Sequence, residues 1–398
     1  MLSPTLNILG VIIAFAIACS AFCFARVSPG DHFFLPIYLL ILYYTVAAVV
    51  TDRRRYDVRP VTRSGVKAIG KYFFWLALIG GLYGFYGLHP FYIQFAPHTR
   101  HMLGNYLQLY ALAGPLYFFY TERYRYSTLD AINDPYLRII SLFRTAARRD
   151  WTALRHRLFT RGYKSLILSW LVRLHFLPVM VEQVHQSTVR ITGIANSSDF
   201  QFNVGGTAAL LVVVLFCIDA TNASIGYFWE SSLTGTRFRE TDPNPFHWII
   251  VLVCYYPFIR FAGSFIPFPS GVEGSPLLFN QPWFEVFVNT GTIVSLAGMV
   301  YVTTSLGFSY SNLSYKKIQT KGLYRFVRHP GTVCKLSFFF FSIFRYRSSG
   351  NVATIALFVI WMAIYFSRAL CEERFLRQFR EYRTYMNAVR YRFIPGML

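Results

Sequence analysis

The stretch TLNILGVIIAFAIACSAFCFA, residues 5–25, decides the fold class, because none of its side chains carries a formal charge. A helix of about 20 apolar residues crosses the hydrocarbon core of a bilayer. The stretch lacks the basic leader and the small-residue cleavage site of a secretory signal peptide. We therefore predict that residues 5–25 form a retained membrane span.

Comparable apolar stretches recur along the whole chain. Hydrophobic residues make up 54% of the chain and charged residues 14%, whereas about a quarter of an average soluble domain is charged. We therefore predict an all-α, polytopic integral membrane protein with about ten transmembrane helices, of which the last two form a C-terminal hairpin. The predicted spans are residues 5–25, 33–50, 72–88, 102–120, 165–184, 205–228, 246–266, 284–308, 333–344 and 352–370.

The basic residues are distributed unequally between the two sides of this topology. The formal net charge is +21, and 30 of the 39 Lys and Arg residues fall in one alternate set of loops, against five in the other. Cytoplasmic loops carry such an excess. We therefore expect a multi-pass membrane protein with both termini in the cytoplasm, whose basic face contacts anionic membrane lipids. Nucleic acid is not needed to explain the charge, and we expect no nucleic-acid partner.

Four regions follow from these patterns. We expect an N-terminal four-span bundle in residues 1–120 and central spans with an acceptor site in residues 165–283. Residues 284–398 form the C-terminal region. Residues 121–164 alternate apolar and Arg side chains at helical spacing, which predicts one or two cytoplasmic amphipathic helices lying on the headgroups.

The fifth predicted span contains three ionisable residues: Arg173, His175 and Glu182. Such residues inside a membrane are costly and are functional candidates. One hypothesis is that they line the pocket of an acceptor molecule. The alternative is a buried ion pair that fixes helix packing, in which Asp219 of the sixth span pairs with Arg173.

The most informative residues flank the C-terminal hairpin. KGLYRFVRHP, residues 321–330, precedes it, and CEERFLRQFREYRTY, residues 371–385, follows it. Because an antiparallel hairpin returns both ends to one face, we expect a His, several Arg and two carboxylates to meet at the membrane edge. Such a pocket would be open to the cytosol and to lipid. A collar of charged side chains reaching for water is the structural alternative.

The order of motifs here is G-x-Y-R-[FY]-V-R-H-P, an apolar hairpin, E-E-x-x-L, Y-x-x-Y and V-x-x-R-F-I-P. It resembles the C-terminal cofactor-binding half of the isoprenylcysteine carboxyl methyltransferase family, and related integral-membrane phospholipid methyltransferases share it. The resemblance covers about residues 290–398. It implies methyl transfer from S-adenosylmethionine to a lipid or lipid-linked acceptor at the cytoplasmic face. The cofactor-binding residues that it implies are Tyr324, Arg328, His329, Pro330, Glu372 and Glu373.

The chain departs from the family pattern just after the proline. Thr332 and Cys334 stand where the family usually has an aromatic residue and a glycine, and Arg380 replaces a glycine of the tail. Lys335 follows, and we consider it a candidate for binding an anionic group of cofactor or substrate. Its structural alternative is a side chain that reaches for the membrane surface.

Two other functions are compatible with the pattern. Membrane sterol reductases resemble the same hairpin but use NADPH, so an NADPH-dependent sterol or lipid reductase is the main alternative. A transporter or non-catalytic scaffold is the third possibility, although the chain lacks the symmetric halves typical of transporters. We expect no metal ion in the protein, and the sequence leaves the oligomeric state open.

Overall fold

The computed structural model describes residues 3–24, 27–51, 65–123, 134–197, 200, 203–230, 236–267, 277–279, 281–345 and 351–396. Over these residues the protein is almost entirely helical. The helices are α1 (Pro4–Phe24), α2 (Leu35–Thr51), α3 (Gly65–Leu88), α4 (Pro90–Phe95), α5 (Pro97–Arg123), α6 (Pro135–Ala147), α7 (Trp151–Leu158), α8 (Arg161–Ala195), α9 (Val204–Phe228), α10 (Pro245–Leu252), α11 (Phe258–Phe265), α12 (Pro282–Leu306), α13 (Pro330–Ile343), α14 (Val352–Leu376) and α15 (Arg380–Ala388).

The helix ends follow local sequence signals. Asn203 caps α9 by accepting the amide N–H of Gly206 at 2.7 Å, and Asn351 caps α14 through Ala353 at 2.8 Å. Proline occupies the first turn of several helices, including α13 at Pro330. Proline is favoured there because its missing N–H would have no partner within the helix.

Among the described residues, six helices are long and apolar enough to cross a membrane: α1, α3, α8, α9, α12 with the turn that follows it, and α14. Two shorter apolar helices lie at Leu35–Ala47 and Pro330–Ile343. Large apolar side chains such as Ile12, Leu112 and Val352 are exposed on the outer surface. An apolar exterior of this kind is typical of a protein embedded in lipid. The prediction of an all-α membrane protein is therefore confirmed, while the count of ten spans stays a prediction.

One predicted span is not a continuous helix. Residues 246–266 divide into α10 and α11, two helices of eight residues each, and Pro257 immediately precedes α11. Proline lacks the backbone N–H that a helix interior needs, and it disfavours helical geometry in the preceding residue. The helix consequently stops and restarts. The end of α11 is held by the indole of Trp361, which donates to the carbonyl of Ile266 at 3.0 Å.

α8 lies at the centre of the bundle and is the most buried of the six candidate spans. It packs mainly against α9, which in turn packs against α12, while α3 pairs with α5 and α12 pairs with α13. One apolar core runs from α1 to α14, so the N-terminal and C-terminal helices share a single interior. Its largest fully buried side chains include Trp361, Tyr44, Tyr86, Tyr227, Phe33 and Phe176.

A short antiparallel ribbon joins two loops at one end of the bundle. Strand β1 (Glu240–Thr241) pairs with strand β2 (Ser314–Tyr315), with Glu240 opposite Tyr315. The hydroxyl of Ser165, near the start of α8, accepts the amide N–H of Thr241 at 2.9 Å. The ribbon therefore ties the loop that follows α9 and the loop that follows α12 to the end of the central helix.

Candidate functional site

Glu373 is the central residue of the charged cluster near the end of α14. It lies on α14, it is 1% exposed, and its carboxylate accepts from four side chains. The guanidinium of Arg328 donates to it at 3.3 Å, and that of Arg392 donates at 3.1 Å. The Nε2 atom of His329 forms a hydrogen bond with it at 3.3 Å. Arg377, one turn along the same helix, is the fourth partner. Charge-assisted hydrogen bonds of this number fix the orientation of every group involved.

Backbone hydrogen bonds attach the same segment to the tail of the chain. The amide N–H groups of Arg328 and His329 donate to the carbonyls of Tyr391 and Arg392 at 3.0 and 2.9 Å. The guanidinium of Arg328 also donates to two tail carbonyls, including that of Val389 at 2.8 Å. The Arg-His-Pro segment, the paired glutamates and the R-F-I-P tail therefore form one rigid unit.

A polar cavity of about 180 Å³ lies beside this unit, and we call it the polar cavity. It is bordered by α12, α13, α14 and the loop 307–329. Five of the seven predicted cofactor residues line it: Tyr324, Arg328, His329, Lys335 and Glu372. The other two do not: Pro330 begins α13, and Glu373 lies behind the wall and holds Arg328 and His329 in place.

The charged groups that line the polar cavity differ in how many partners they have within the protein. Glu372 is exposed at the cavity wall. Within the described part of the chain, its carboxylate forms no hydrogen bond or ion pair. The ammonium of Lys335 lies over the rings of Tyr255 and Tyr365, at 5.7 and 5.2 Å from their centroids. Arg368 donates to the side chain of Asn312. Glu372 therefore lies in the same cavity as the cations of Lys335 on α13 and Arg368 on α14.

Burial raises the pKa of several tyrosines that line this cavity. Burial, together with the nearby carboxylate of Glu372, raises the pKa of Tyr324 well above its ordinary value. Burial likewise raises the pKa of Tyr385, whose hydroxyl donates to the carbonyl of Tyr324 at 2.6 Å. At the rim, burial and the hydrogen bond to Glu381 raise the pKa of Tyr315 to about 12. Tyr385 and Tyr315 act as hydrogen-bonding groups.

Gly322 is required at the turn that opens the site. Its φ of +66° lies in the left-handed region, and a Cβ atom there would be 2.7 Å from the hydroxyl of Tyr301 on α12. We expect Gly322→Ala to lower the free energy of unfolding by about 1–2 kcal/mol, since an L side chain is strained in that conformation. Gly263→Ala is the matched control, because nothing lies within 4 Å of the added atom. Equal thermal unfolding midpoints for the two variants in detergent would contradict this explanation.

A second, larger cavity of about 390 Å³ lies among α2, α3, α5, α8 and the end of α9, and we call it the aromatic cavity. Its walls are mostly aromatic and aliphatic, including Trp75, Tyr106 and Tyr110. Leu42 and Leu109 line it and are 61% and 50% exposed. The cavity therefore reaches the outer apolar surface between α2 and α5.

Arg173 lies at the polar end of the aromatic cavity. The prediction that it pairs with Asp219 is wrong, because Arg173 forms an ion pair with Glu230. Its guanidinium also lies over the rings of Trp170 and Phe238, at 4.7 and 4.3 Å. Asp219 lines the polar cavity instead, where it interacts with Lys335. The carboxylate that pairs with Arg173 belongs to the loop that follows α9.

The structure does not bring Arg173, His175 and Glu182 together. His175 packs against Phe258 of α11 with ring centroids 5.7 Å apart. Glu182 lies nine residues beyond Arg173 on α8 and contacts His98 of α5. Only Arg173 lines the aromatic cavity.

A thin wall separates the two cavities. Tyr227 lines the aromatic cavity, and its hydroxyl accepts the amide N–H of Asn312, a residue of the polar cavity, at 3.1 Å. Lys316 donates to the carbonyls of Gly226 and Phe308 from the polar side. Burial and the charge of Arg173 lower the pKa of Lys316 well below its ordinary value. The two cavities therefore lie back to back.

Sequence reasoning did not single out Arg368 or Lys316 as site residues. Arg368 could have been found, because it precedes Glu372 by four residues on a predicted helix and so shares its face. Lys316 gave no such signal, since its partners come from α9 and from the turn after α12.

Comparison with known proteins adds no assignment to this geometry. No family model, curated protein or solved structure matches the chain. The functional argument consequently depends on the residues of the two cavities.

Proposed function

We propose that this protein is an integral-membrane methyltransferase that transfers a methyl group from S-adenosylmethionine to a lipid or lipid-linked acceptor. The observation that carries the proposal is the unpaired carboxylate of Glu372 in a cavity that also contains Lys335 and Arg368. The resemblance of residues 290–398 to isoprenylcysteine and phospholipid methyltransferases supports it. The polar cavity is the proposed cofactor site.

The residue types in the polar cavity fit this cofactor. S-adenosylmethionine carries a cationic sulfonium, an ammonium, a carboxylate and a ribose diol. Glu372 would accept from the ammonium or the diol, while Lys335 or Arg368 would bind the carboxylate. Arg328 and Glu373 would act indirectly, because their mutual bonds hold His329 and the cavity wall in position.

Methyl transfer requires little acid–base catalysis by the protein. The cofactor, when bound, would supply a methyl group activated by a positively charged sulfur, which would leave as the acceptor's nucleophile takes the methyl group. The protein's contribution is to align the acceptor with the methyl carbon and to exclude water. The apolar walls that Met299 and Val302 provide are suited to water exclusion.

The aromatic cavity is the proposed acceptor site. Its apolar walls and its opening between α2 and α5 would admit a lipid chain directly from the bilayer. Its polar end, with Arg173 and Glu230, lies toward the wall shared with the polar cavity, and the reacting group of the acceptor would have to pass that wall beside Tyr227 to reach the methyl carbon. The proposal therefore keeps Arg173 as an acceptor-site residue and does not include His175 or Glu182.

The proposed topology places this chemistry at the cytoplasmic face. Each of the ten predicted spans contains helical residues, and the excess of basic residues in alternate loops supports ten crossings with both termini cytoplasmic. The crossing at residues 246–266 would be made by the broken pair α10 and α11. Anionic lipids would be attracted to the same basic face.

Calorimetry on the purified full chain in lipid nanodiscs tests the cofactor. We expect S-adenosylmethionine to bind, and Glu372→Gln to weaken that binding by at least about tenfold, because a hydrogen bond to a charged group contributes about 1.5–3 kcal/mol. Glu285→Gln, on α12 and outside both cavities, should leave the affinity unchanged. Unchanged affinity in Glu372→Gln would contradict the site, and tight binding of NADPH in place of S-adenosylmethionine would favour the reductase. Binding of neither would favour a transporter or scaffold.

A further inference from the structure

Three potential metal ligands meet where the first turn of α5 touches α8. His98 belongs to α5, and Glu182 and His185 lie on one face of α8; one ligand atom from each residue lies within 4.8 Å of the other two. The two oxygens of Glu182 bind His98 twice, at 2.8 Å from its amide nitrogen and 2.8 Å from its Nδ1 atom. The carboxylate of Glu182 is buried, while both imidazoles are half-exposed.

Helix capping explains only part of this cluster. A carboxylate at the first turn of α5 is favourable because the amide N–H groups there lack partners within the helix. That role accounts for Glu182 and its bond to His98. It does not account for His185, whose ring stacks on that of His98 with centroids 3.3 Å apart. In the part of the chain that the structure describes, His185 makes ring contacts and no hydrogen bond.

The surroundings restrict what these groups can bind. Phe33, which is 1% exposed, contacts both imidazole rings edge-on. Its ring centroid lies 6.0 Å from that of His98 and 5.1 Å from that of His185. It closes the apolar side of the cluster. Asp31, in the loop before α2, is near enough to His185 to interact with it electrostatically. A carboxylate next to a liganding imidazole is the usual second partner of a metal-bound histidine.

We propose that His98, Glu182 and His185 bind a divalent transition-metal ion of the Zn²⁺ type, which joins α5 to α8. Two imidazoles and one carboxylate form a ligand set that Zn²⁺ favours, with a fourth position left for water. Zn²⁺ bonds of about 2.0–2.2 Å hold ligand atoms within about 4.2 Å of one another, and the three ligand atoms here already lie within 4.8 Å of one another.

This site is separate from the proposed cofactor site. His185 follows Arg161 by 24 residues on α8, which is about 36 Å along a helix. Arg161 contacts Gln378, just beyond the paired glutamates. The metal site and the polar cavity therefore lie toward opposite ends of the central helix, and neither requires the other.

Metal binding can be measured without any assay of activity. The full chain, purified in detergent and freed of metal with a chelator, is titrated with Zn²⁺ by calorimetry and with Co²⁺ by visible absorption. We expect one ion per chain, a visible Co²⁺ band, and a rise in the thermal unfolding midpoint with Zn²⁺, because an ion that binds only the folded state stabilises it. His185→Gln should weaken Zn²⁺ binding at least about 100-fold, since even changes beyond the ligands weaken it 10–100-fold.

His89→Gln is the matched control, because this exposed histidine at the end of α3 lies outside the ligand set. It should bind Zn²⁺ as tightly as the unaltered chain. His185 is half-exposed, so its replacement tests the site even where replacement of the buried Glu182 impairs folding. Failure of the unaltered chain to bind Zn²⁺ or Co²⁺, or equal Zn²⁺ affinity in His185→Gln, would overturn the proposal.

Discussion

Glu373→Ala is expected to lower the free energy of unfolding by about 3–5 kcal/mol, the range for removing one partner of a buried ion pair. The side chain of Arg328 is 5% exposed, and the variant removes the carboxylate that pairs with its guanidinium. It also removes the partner of His329 and of Arg392. Unfolding in mixed micelles of detergent and a denaturing surfactant, followed by tryptophan fluorescence, measures the change.

The neighbouring residue provides a matched control. Glu372→Ala removes a carboxylate of the same size from the same helix turn, but this carboxylate is exposed in the polar cavity and forms no ion pair within the described residues. We expect its stability to remain within about 0.5 kcal/mol of the unaltered chain, while its affinity for S-adenosylmethionine falls. A similar stability loss in both variants would refute the division of roles between the two glutamates.

The second large effect concerns the aromatic cavity. Ala113, on α5, lines that cavity, and Ala113→Trp would fill space that the proposed lipid acceptor needs. We expect methyl transfer to lipid to fall at least about 100-fold, since a displacement of 1 Å at a reacting centre already has that effect. Affinity for S-adenosylmethionine should be unchanged, because the polar cavity is untouched. Mass spectrometry of lipids from cells expressing each variant detects the acceptor as a species heavier by one methyl group.

Leu112→Trp controls for the added indole. Leu112 precedes Ala113 in the chain, is 79% exposed and lies outside the cavity. Its variant should methylate lipid like the unaltered protein. If Ala113→Trp keeps full methyl transfer while the unaltered protein is active, the acceptor does not bind in the aromatic cavity. The cofactor assignment would survive that result.

Much of the site was predictable from its position on either side of the apolar residues 333–370. The Arg-His-Pro segment and the paired glutamates flank the apolar residues 333–370, and the structure does bring them together. The different roles of Glu372 and Glu373 were not predictable. Adjacent residues on a helix differ in direction by about 100°, so the pair must point to different surroundings. Which one points to the cavity depends on how α14 is rotated against its neighbours.

Pairings between distant segments were the least predictable feature. Arg173 pairs with Glu230 because the loop after α9 returns over α8, which no pattern along the chain reveals. The cluster of His98 with Glu182 and His185 has the same origin, since His98 is 84 residues away from Glu182 in the chain. The break at Pro257 was not predicted, since residues 246–266 were treated as one span, although a proline in an apolar stretch is a signal that interrupts a helix.

The sequence by itself determined that this is an all-α membrane protein with its polar motifs on either side of the apolar residues 333–370. These properties depend on the hydrophobicity and spacing of residues that are near one another in the chain. Only the tertiary structure decided that Glu372 lines the polar cavity while Glu373 supports it, that Arg173 belongs to a second cavity, and that His98 meets His185. These three features depend on how the helices are rotated and on contacts between segments that are distant in the chain. Only such contacts bring two particular charged groups within hydrogen-bonding distance.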